Sequence, residues 1–339
     1  MNNELEADVI RMLARRADDL GADAGIDPET TLKQAKGALM KTRAAVTIAT
    51  AAAVVALATA GAVVLANRSG DAPGVATDPA PTAPSQSATE TEPITVPVYY
   101  VGDTPRGPRL YREFHSVQTD DALSAAVDLA VSQPPLDPDY RSPWGPGVRA
   151  SAAYNGDVLT VDISGDNALE LHDRPAGLSQ EESAIALEQV IFTAQAALGK
   201  GRVPVQFLLD GQRTDQVLGQ PASEPLANSP LLDTLSHVNL TTPAEGETVT
   251  DTLNVSGVAN SFEANVVVSL QPLGSADEVF RQGVTAQGWM GNRLFDFSQS
   301  FDVSGVEPGT YVLTAMTDDP SGGAEGFGPF SDTKVFTIP

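Results

Sequence analysis

An uninterrupted apolar segment near the N-terminus sets the first limit on what this chain can form. The 24 residues from Ala44 to Asn67 carry no charge and consist mostly of alanine and valine. A helix rises about 1.5 Å per residue, so this segment would extend roughly 36 Å, longer than a hydrocarbon core of about 30 Å. A buried helix of a soluble protein is the alternative, but the segment lacks a polar face. We therefore predict one transmembrane helix over residues 44–67.

Basic residues flank this segment unevenly and predict its orientation. Four precede it closely, and only Arg68 follows closely; the four are Lys33, Lys36, Lys41 and Arg43. The positive-inside rule then places the N-terminus in the cytoplasm and residues after the span outside. A cleaved signal peptide has an apolar core of about 7–15 residues near its start, unlike this longer segment. We expect an uncleaved signal anchor and a location in the cell membrane.

Net charge is concentrated on the C-terminal side of the apolar segment. The first 68 residues hold eight of the 20 Lys and Arg and eight of the 44 Asp and Glu, so the remaining 271 hold 12 and 36 and account for the whole net charge of −24. Such a field keeps a protein soluble and disfavours nucleic acid and anionic lipid head groups. We expect envelope proteins or a wall polymer as partners.

The sequence contains no cysteine. This excludes disulfides, thiolate metal sites, a cysteine nucleophile and a lipid-modified cysteine. Anchoring must then depend on the apolar helix.

The segments on either side of the span differ in composition. Residues 1–43 are predicted to form a cytoplasmic tail, in which apolar residues at helical spacing indicate a short amphipathic helix over 3–20. Residues 68–93 are rich in Pro, Ala and Thr, which is typical of an extended, disordered linker.

Strand and helix patterns alternate in the predicted domain at 94–214. Strands are predicted at 96–101, 109–117, 148–154, 158–163 and 203–209, and helices at 120–131, after a Thr119 cap, and from Ser179 to Leu198. Asn155-Gly156 is a strong hairpin signal, and Ser179 and Glu182 have the spacing of a capping box. The order ββαββαβ predicts an α+β domain with two helices on one mixed sheet.

Strand patterns alone follow a Pro-, Ser- and Ala-rich connector at 215–236. Within residues 237–339, apolar and polar residues alternate at 248–258, 265–271, 278–285, 294–302, 309–317 and 333–338. Six or seven short antiparallel strands predict an all-β sandwich of the immunoglobulin type, here without its cysteine pair.

Several motifs carry a family resemblance. The stretches at 243–249 (PAEGETV), 255–265 (VSGVANSFEAN) and 308–311 (PGTY) resemble the immunoglobulin-like domain of bacterial spore-germination proteins, called Gmad2. Upstream, the Trp-Gly-Pro-Gly turn at 144–147, the Asn-Gly hairpin and the stretch VQFLLDG at 205–211 are similar to the GerM-type (GerMN) sporulation and germination domain. The resemblance implies an envelope protein without enzymatic activity, related to sporulation, germination and peptidoglycan-linked assembly.

Catalytic motifs are missing from the sequence. No Gly-x-Ser-x-Gly elbow occurs, and the three histidines, His115, His172 and His237, lie far apart along the chain. Abundant carboxylates make accidental glycosidase-like pairs inevitable, so their number indicates nothing. We predict no catalytic residue.

Metal ligands are equally scarce. Oxygen-bearing side chains cluster in two stretches that do not match the EF-hand spacing, namely Asp162, Ser164, Asp166, Asn167 and Glu170, and Asp318, Asp319 and Glu325. We predict no metal and no cofactor.

One loop stands out as a candidate binding surface. Between Pro134 and Gly147, Tyr140, Arg141 and Trp144 lie among prolines, and rigid aromatic residues in loops suit contact with sugars or proteins. Packing of Trp144 against the sheet is the alternative interpretation.

Three role classes remain open. The chain is predicted to be an anchored envelope module that binds or assembles with proteins or peptidoglycan. A signalling protein with an outer sensor and a cytoplasmic tail is the first alternative, and a cell-wall hydrolase is the second. The sequence leaves the oligomeric state open.

Overall fold

The computed structural model describes residues 92–289, 291–321, 324 and 328–339. The predictions for the tail, the membrane span and nearly all of the linker lie outside these residues. Within the described part of the chain, no helix is both long and apolar enough to cross a membrane. The described residues belong to one compact unit that extends from Pro84 to the C-terminus.

The first sheet is antiparallel and has three strands in the order β2-β1-β3. β1 (Ile94–Thr104) pairs with β2 (Gly107–Val117) along its whole length, and β3 (Tyr140–Arg141) pairs with the other edge of β1. Alternation along β1 places Val96, Val98 and Tyr100 on one buried face.

The first domain contains two long helices, and each begins at a polar capping residue. α1 (Ala122–Ser132) begins at Asp121, whose carboxylate accepts the N–H of Ser124 at 3.0 Å. The predicted Thr119 cap is wrong because its hydroxyl accepts the N–H of Asp121 instead. α2 (Gln180–Leu198) begins with the predicted capping box of Ser179 and Glu182, which is confirmed.

A second sheet of four strands has the order β4-β5-β6-β7. β4 (Val148–Tyr154) and β5 (Leu159–Gly165) form the predicted hairpin, β5 and β6 (Val205–Leu209) are parallel, and β7 (Gln212–Arg213) pairs antiparallel with β6. A 3₁₀ helix, Ala168–His172, follows β5, and α2 then connects it to β6.

The prediction of one mixed sheet is wrong, because side chains of α1 occupy the outer edge of β4. The N–H of Ala150 donates to Asp128 Oδ1, and the N–H of Ala152 donates to Ser124 Oγ, both at 3.1 Å. These bonds satisfy donors that a further strand would otherwise pair with. The strands therefore divide into two sheets within the same α+β class.

Short elements fill the connector between the two domains. β8 (Gln216–Val217) pairs with β9 (Gln220–Pro221), and α3 (Leu231–Thr234) makes a single turn.

The C-terminal domain is a sandwich of two antiparallel sheets. One has the order β10-β11-β14, with β10 (Val238–Thr242), β11 (Thr252–Ala259) and β14 (Phe295–Asp302). The other has the order β13-β12-β15-β16, with β12 (Asn265–Pro272), β13 (Phe280–Thr285), β15 (Gly309–Thr317) and β16 (Ser331–Ile338). Side chains of both sheets share one core that includes Leu253, Leu313 and Phe336. The sequence did not predict β10, because the buried Asn239 interrupts its apolar pattern.

Candidate functional site at the domain interface

The end of the connector and the start of the sandwich cover the outer edge of β2. Leu110 forms a parallel bridge with Leu235, and its carbonyl accepts the N–H of Ser236 at 3.0 Å. The N–H of Arg112 donates to Asn239 Oδ1 at 2.9 Å. Backbone groups at the outer edge of β2 are thus hydrogen-bonded by the connector and by the second domain.

Charged side chains from both domains meet in the interior of this interface. Lys334 on β16 forms an ion pair with Asp137, and its Nζ donates to the Tyr140 hydroxyl at 3.2 Å. That hydroxyl donates to Asp332 Oδ1, while Asp332 Oδ2 accepts the Asn239 amide at 3.0 Å. Asp137, Asp332 and Lys334 are each at most 5% exposed. We call these five residues the interface network.

The interface network fixes the protonation of Lys334 and Tyr140. Burial alone would lower the pKa of Lys334, but Asp332 and Asp137 outweigh it and raise that pKa. Burial, reinforced by the same two carboxylates, raises the pKa of Tyr140 well above its ordinary value. Lys334 is therefore a cation and Tyr140 a neutral donor at physiological pH.

A second buried group holds the loop that carries Asp137. Glu113 on β2 accepts hydrogen bonds from the backbone N–H groups of Leu136 and Asp137, at 2.9 and 2.8 Å, and lies 3.0 Å from His115 Nε2. Burial would raise the pKa of Glu113, but these three donors together lower it. The ionised Glu113 connects β2 to the loop that binds the sandwich.

The three residues of the predicted binding surface lie around one hollow but in different surroundings. Tyr140 stacks on Tyr111 with ring centroids 4.7 Å apart, and Trp144 is 7% exposed within the core of the second sheet. Arg141 is partly exposed and pairs with Asp103 at 2.9 Å. Together with prolines they line a hollow of about 360 Å³. The rings of Tyr140 and Trp144 serve mainly for packing. The role of the loop in binding stays a prediction.

An exposed aromatic pair lies at one end of the sandwich, and the sequence analysis did not single it out. Phe262 and Trp289 are 47% and 41% exposed, and their centroids are 5.6 Å apart in an edge-to-face arrangement. Hydrogen bonds connect the two loops that carry these rings. The side-chain amide of Asn260 donates to the backbone carbonyls of Gly291 and Arg293. The available signal was a tryptophan between predicted strands.

Among the described residues, the histidine ring nitrogens hydrogen-bond to carboxylates or to a backbone carbonyl, and none pairs with a serine or threonine hydroxyl. His115 pairs with Glu113, and His237 lies 2.9 Å from the carbonyl of Leu232. His172 is partly exposed and lies between Asp173 and Asp215, whose hydrogen bonds raise its pKa.

The described ranges contain no group of three acidic or histidine side chains arranged for a metal ion. Glu325, which belongs to the second oxygen-rich stretch, lies outside those ranges.

Alkaline titration is expected to reveal the buried interface. Burial raises the pKa of Tyr99, Tyr100, Tyr111 and Tyr140, and the neighbouring carboxylates raise that of Lys334 despite its burial. Because folding raises these pKa values, the stabilisation is full below the unfolded values of about 10 and is lost as the pH rises through the folded values. Urea midpoints measured upward from pH 9 should therefore fall.

Tyrosinate absorbance provides the matched measurement. In the native protein, four of the six tyrosines should ionise only above the ordinary range or on unfolding, whereas all six should ionise near pH 10 in concentrated urea. Native ionisation of all six near pH 10 would contradict the buried positions.

Comparison with known proteins gives two adjoining domain matches. The family model described as "Sporulation and spore germination" matches residues 97–215, and the model described as "Immunoglobulin-like domain of bacterial spore germination" matches residues 237–324. No curated protein matches this chain.

Similarity to solved structures is weak. The tandem GerMN domains of the sporulation protein GerM from Bacillus subtilis are 12% identical, with coverage of 63% of this chain and 62% of that chain and a TM-score of 0.33. Neutral ceramidase from Pseudomonas aeruginosa is 11% identical, with coverage of 73% and 53% and a TM-score of 0.21. Both TM-scores are too low to indicate a function for this chain, and the two family matches identify its domains.

Proposed function

Because the chain carries a sporulation and spore germination domain followed by an immunoglobulin-like domain of bacterial spore germination, we propose that it is a non-enzymatic, membrane-anchored envelope protein. Its two domains form a binding or assembly module for proteins or peptidoglycan outside the cell. The apolar segment at 44–67 anchors it, and the basic residues before that segment keep the N-terminus in the cytoplasm.

The interface network is the observation that carries this proposal. Interfaces between mobile domains are usually polar and hydrated, whereas here Lys334 and Asp137 pair with almost no exposure. Hydration of the separated charges would offset much of their attraction, so a buried pair of this kind specifies one arrangement of its partners more than it adds stability. Within the compact unit, the network therefore fixes the relative positions of the two domain surfaces, as an assembly module requires.

The exposed aromatic pair is the best contact surface on this body. Tryptophan is enriched among residues that dominate binding energy, and an exposed apolar patch on loops often marks an interaction site. Phe262 and Trp289 meet both conditions. The hollow beside Arg141 is the second contact surface that we propose.

The contacts of the histidines support a role without catalysis. A nucleophilic serine or threonine needs a base within hydrogen-bond reach, and the hydrogen bonds of His115, His172 and His237 go to carboxylates or a backbone carbonyl.

The absence of native cysteine allows one experiment to test topology and binding together. Single variants Trp289→Cys and Arg141→Cys are labelled in intact cells with a membrane-impermeant maleimide that carries a photo-crosslinker. Leu273→Cys, at a position 58% exposed, is the matched surface control. Ala22→Cys, in the predicted tail, is the control for topology.

We expect labelling at the three C-terminal positions and none at Ala22→Cys. A discrete crosslinked envelope component should arise from Trp289→Cys, from Arg141→Cys or from both, and not from Leu273→Cys. Labelling of the tail variant alone would overturn the topology. Identical products from all three C-terminal positions would contradict the proposed contact surfaces.

A further inference from the structure

Two adjoining cavities lie between the first domain, the connector and the sandwich. The larger has a volume of about 660 Å³ and the smaller about 210 Å³. They share Tyr99, Leu231 and Leu235 as an apolar wall. The larger lies within the range of about 300–1,000 Å³ that is typical of ligand sites, which combine apolar walls with a few polar groups. We call the two cavities together the interdomain cleft.

The charged residues that line the interdomain cleft are all basic. Lys200 and Arg202 line the larger cavity, and Arg112 and Arg293 line the smaller one. Among the residues that the structure describes, no aspartate or glutamate lines either cavity. Four of the 12 basic residues after Arg68 thus surround one cleft in a strongly acidic region. The charge of the cleft is opposite to that of the surrounding surface.

These four cations have no carboxylate partner among the described residues. Three of them lie against aromatic rings instead, with Lys200 and Arg112 each 4.8 Å and Arg293 4.4 Å from the nearest ring centroid. The Nε of Arg112 is buried and makes no hydrogen bond within the part of the chain that the structure describes. The region after Arg68 has three acidic residues for each basic one. Cations without a carboxylate partner around one cleft of such a region indicate an anionic ligand.

We propose that the interdomain cleft binds a short acidic peptide. The cations are divided between two cavities, which suits a ligand with at least two separated carboxylates better than a single phosphate. The apolar wall accommodates a side chain, and the exposed amide of Asn292 at the larger cavity suits a peptide group. This inference deepens the proposed binding function and rests on it.

The negative charge outside the cleft favours a short ligand over a long or membrane-bound one. The net charge of −24 repels long polyanions and anionic membrane surfaces. A short segment places its carboxylates inside the cleft and leaves little of itself in the repulsive field. The structure therefore favours a short peptide over an anionic lipid surface.

Calorimetric titration of the full-length chain tests the proposal with defined probes. The first probe is the acetylated tetrapeptide Glu-Leu-Ala-Glu, and the second is its amidated Gln-Leu-Ala-Gln counterpart. Short-chain phosphatidic acid and inorganic phosphate are the third and fourth. The test protein is the double variant Arg202→Gln/Arg293→Gln, and Arg213→Gln is the control, because all three positions are exposed and Arg213 lies outside the cleft.

We expect the acidic peptide to bind and the neutral peptide to give no heat. Loss of two charge-assisted contacts should weaken binding about tenfold or more in the double variant and leave Arg213→Gln unchanged. Unchanged thermal midpoints would establish that the variants remain folded.

Absence of heat with the acidic peptide would overturn the proposal. Tighter binding of phosphatidic acid or of phosphate, equal binding of the neutral peptide, or equal weakening by Arg213→Gln would also overturn it. The cysteine-labelling experiment is independent of this titration. An envelope partner crosslinked in cells together with a silent titration would leave the proposed function standing and remove only the assignment of the cleft.

Discussion

Replacement of Lys334 by methionine is expected to lower the free energy of unfolding of the two-domain unit by about 3–5 kcal/mol. Methionine retains the length of the side chain but removes the ammonium that Asp137 and Asp332 share. Both carboxylates would then lie buried at 1% and 4% exposure without a cation. Urea unfolding of the compact unit that spans residues 84–339 measures the change through its midpoint and slope.

An exposed ion pair is the matched control for this prediction. Arg281 on β13 contacts Glu278, and their side chains are 49% and 32% exposed. Arg281→Met should change the free energy of unfolding by about 1 kcal/mol or less, since solvent screens such pairs. Equal effects of the two variants would contradict the buried interface. Addition of Asp137→Asn to Lys334→Met should recover part of the loss, because it removes one uncompensated charge.

Local features of the fold could be predicted from the sequence because their causes are local. The capping box at Ser179 and Glu182 involves residues three apart, and α2 begins where this spacing predicts. The strands of the sandwich alternate apolar and polar residues, so most were predicted within a few residues. Asn155-Gly156 predicted the β4-β5 hairpin for the same reason.

Partners across the domain interface could not be predicted from local patterns, although β16 contained a signal. Asp332, Lys334, Phe336 and Ile338 are the buried residues of this strand. A period of two places all four on one face, so two opposite charges occupy the same face as two core residues. That arrangement predicts that the two charged side chains are buried and paired. Their partners Asp137 and Tyr140 lie nearly 200 residues away in the sequence, so only the folded structure identifies them.

The interdomain cleft could not be predicted from local sequence patterns either, because its residues are far apart in the chain. Its four cations lie at positions 112, 200, 202 and 293, in different domains and on different elements. Composition gives a uniformly acidic region, because an average over the chain conceals a local reversal of charge. Only the arrangement of β2, the end of α2 and the loop before β14 brings these side chains to one place.

Trp144→Ala is expected to destabilise the same unit by about 3–5 kcal/mol, the usual cost of removing a large buried aromatic side chain. Trp144 is 7% exposed and packs among the core residues of the second sheet, including Val131 and Val148. Arg141→Ala is the control in the same loop. Its ion pair with Asp103 is partly exposed, so its loss should cost about 1 kcal/mol or less.

This pair of variants decides between the two interpretations of the loop. Trp144 as a packing residue requires a large loss of stability, with crosslinking at Arg141→Cys unaffected wherever the protein remains folded. Trp144 as a contact residue requires the reverse, namely a stable Trp144→Ala protein that no longer yields the crosslinked product. The indole Nε1 is buried without a hydrogen-bond partner among the described residues, so its polar group does not stabilise the core and its removal relieves a desolvation cost. The expected loss therefore comes from the cavity that alanine would leave.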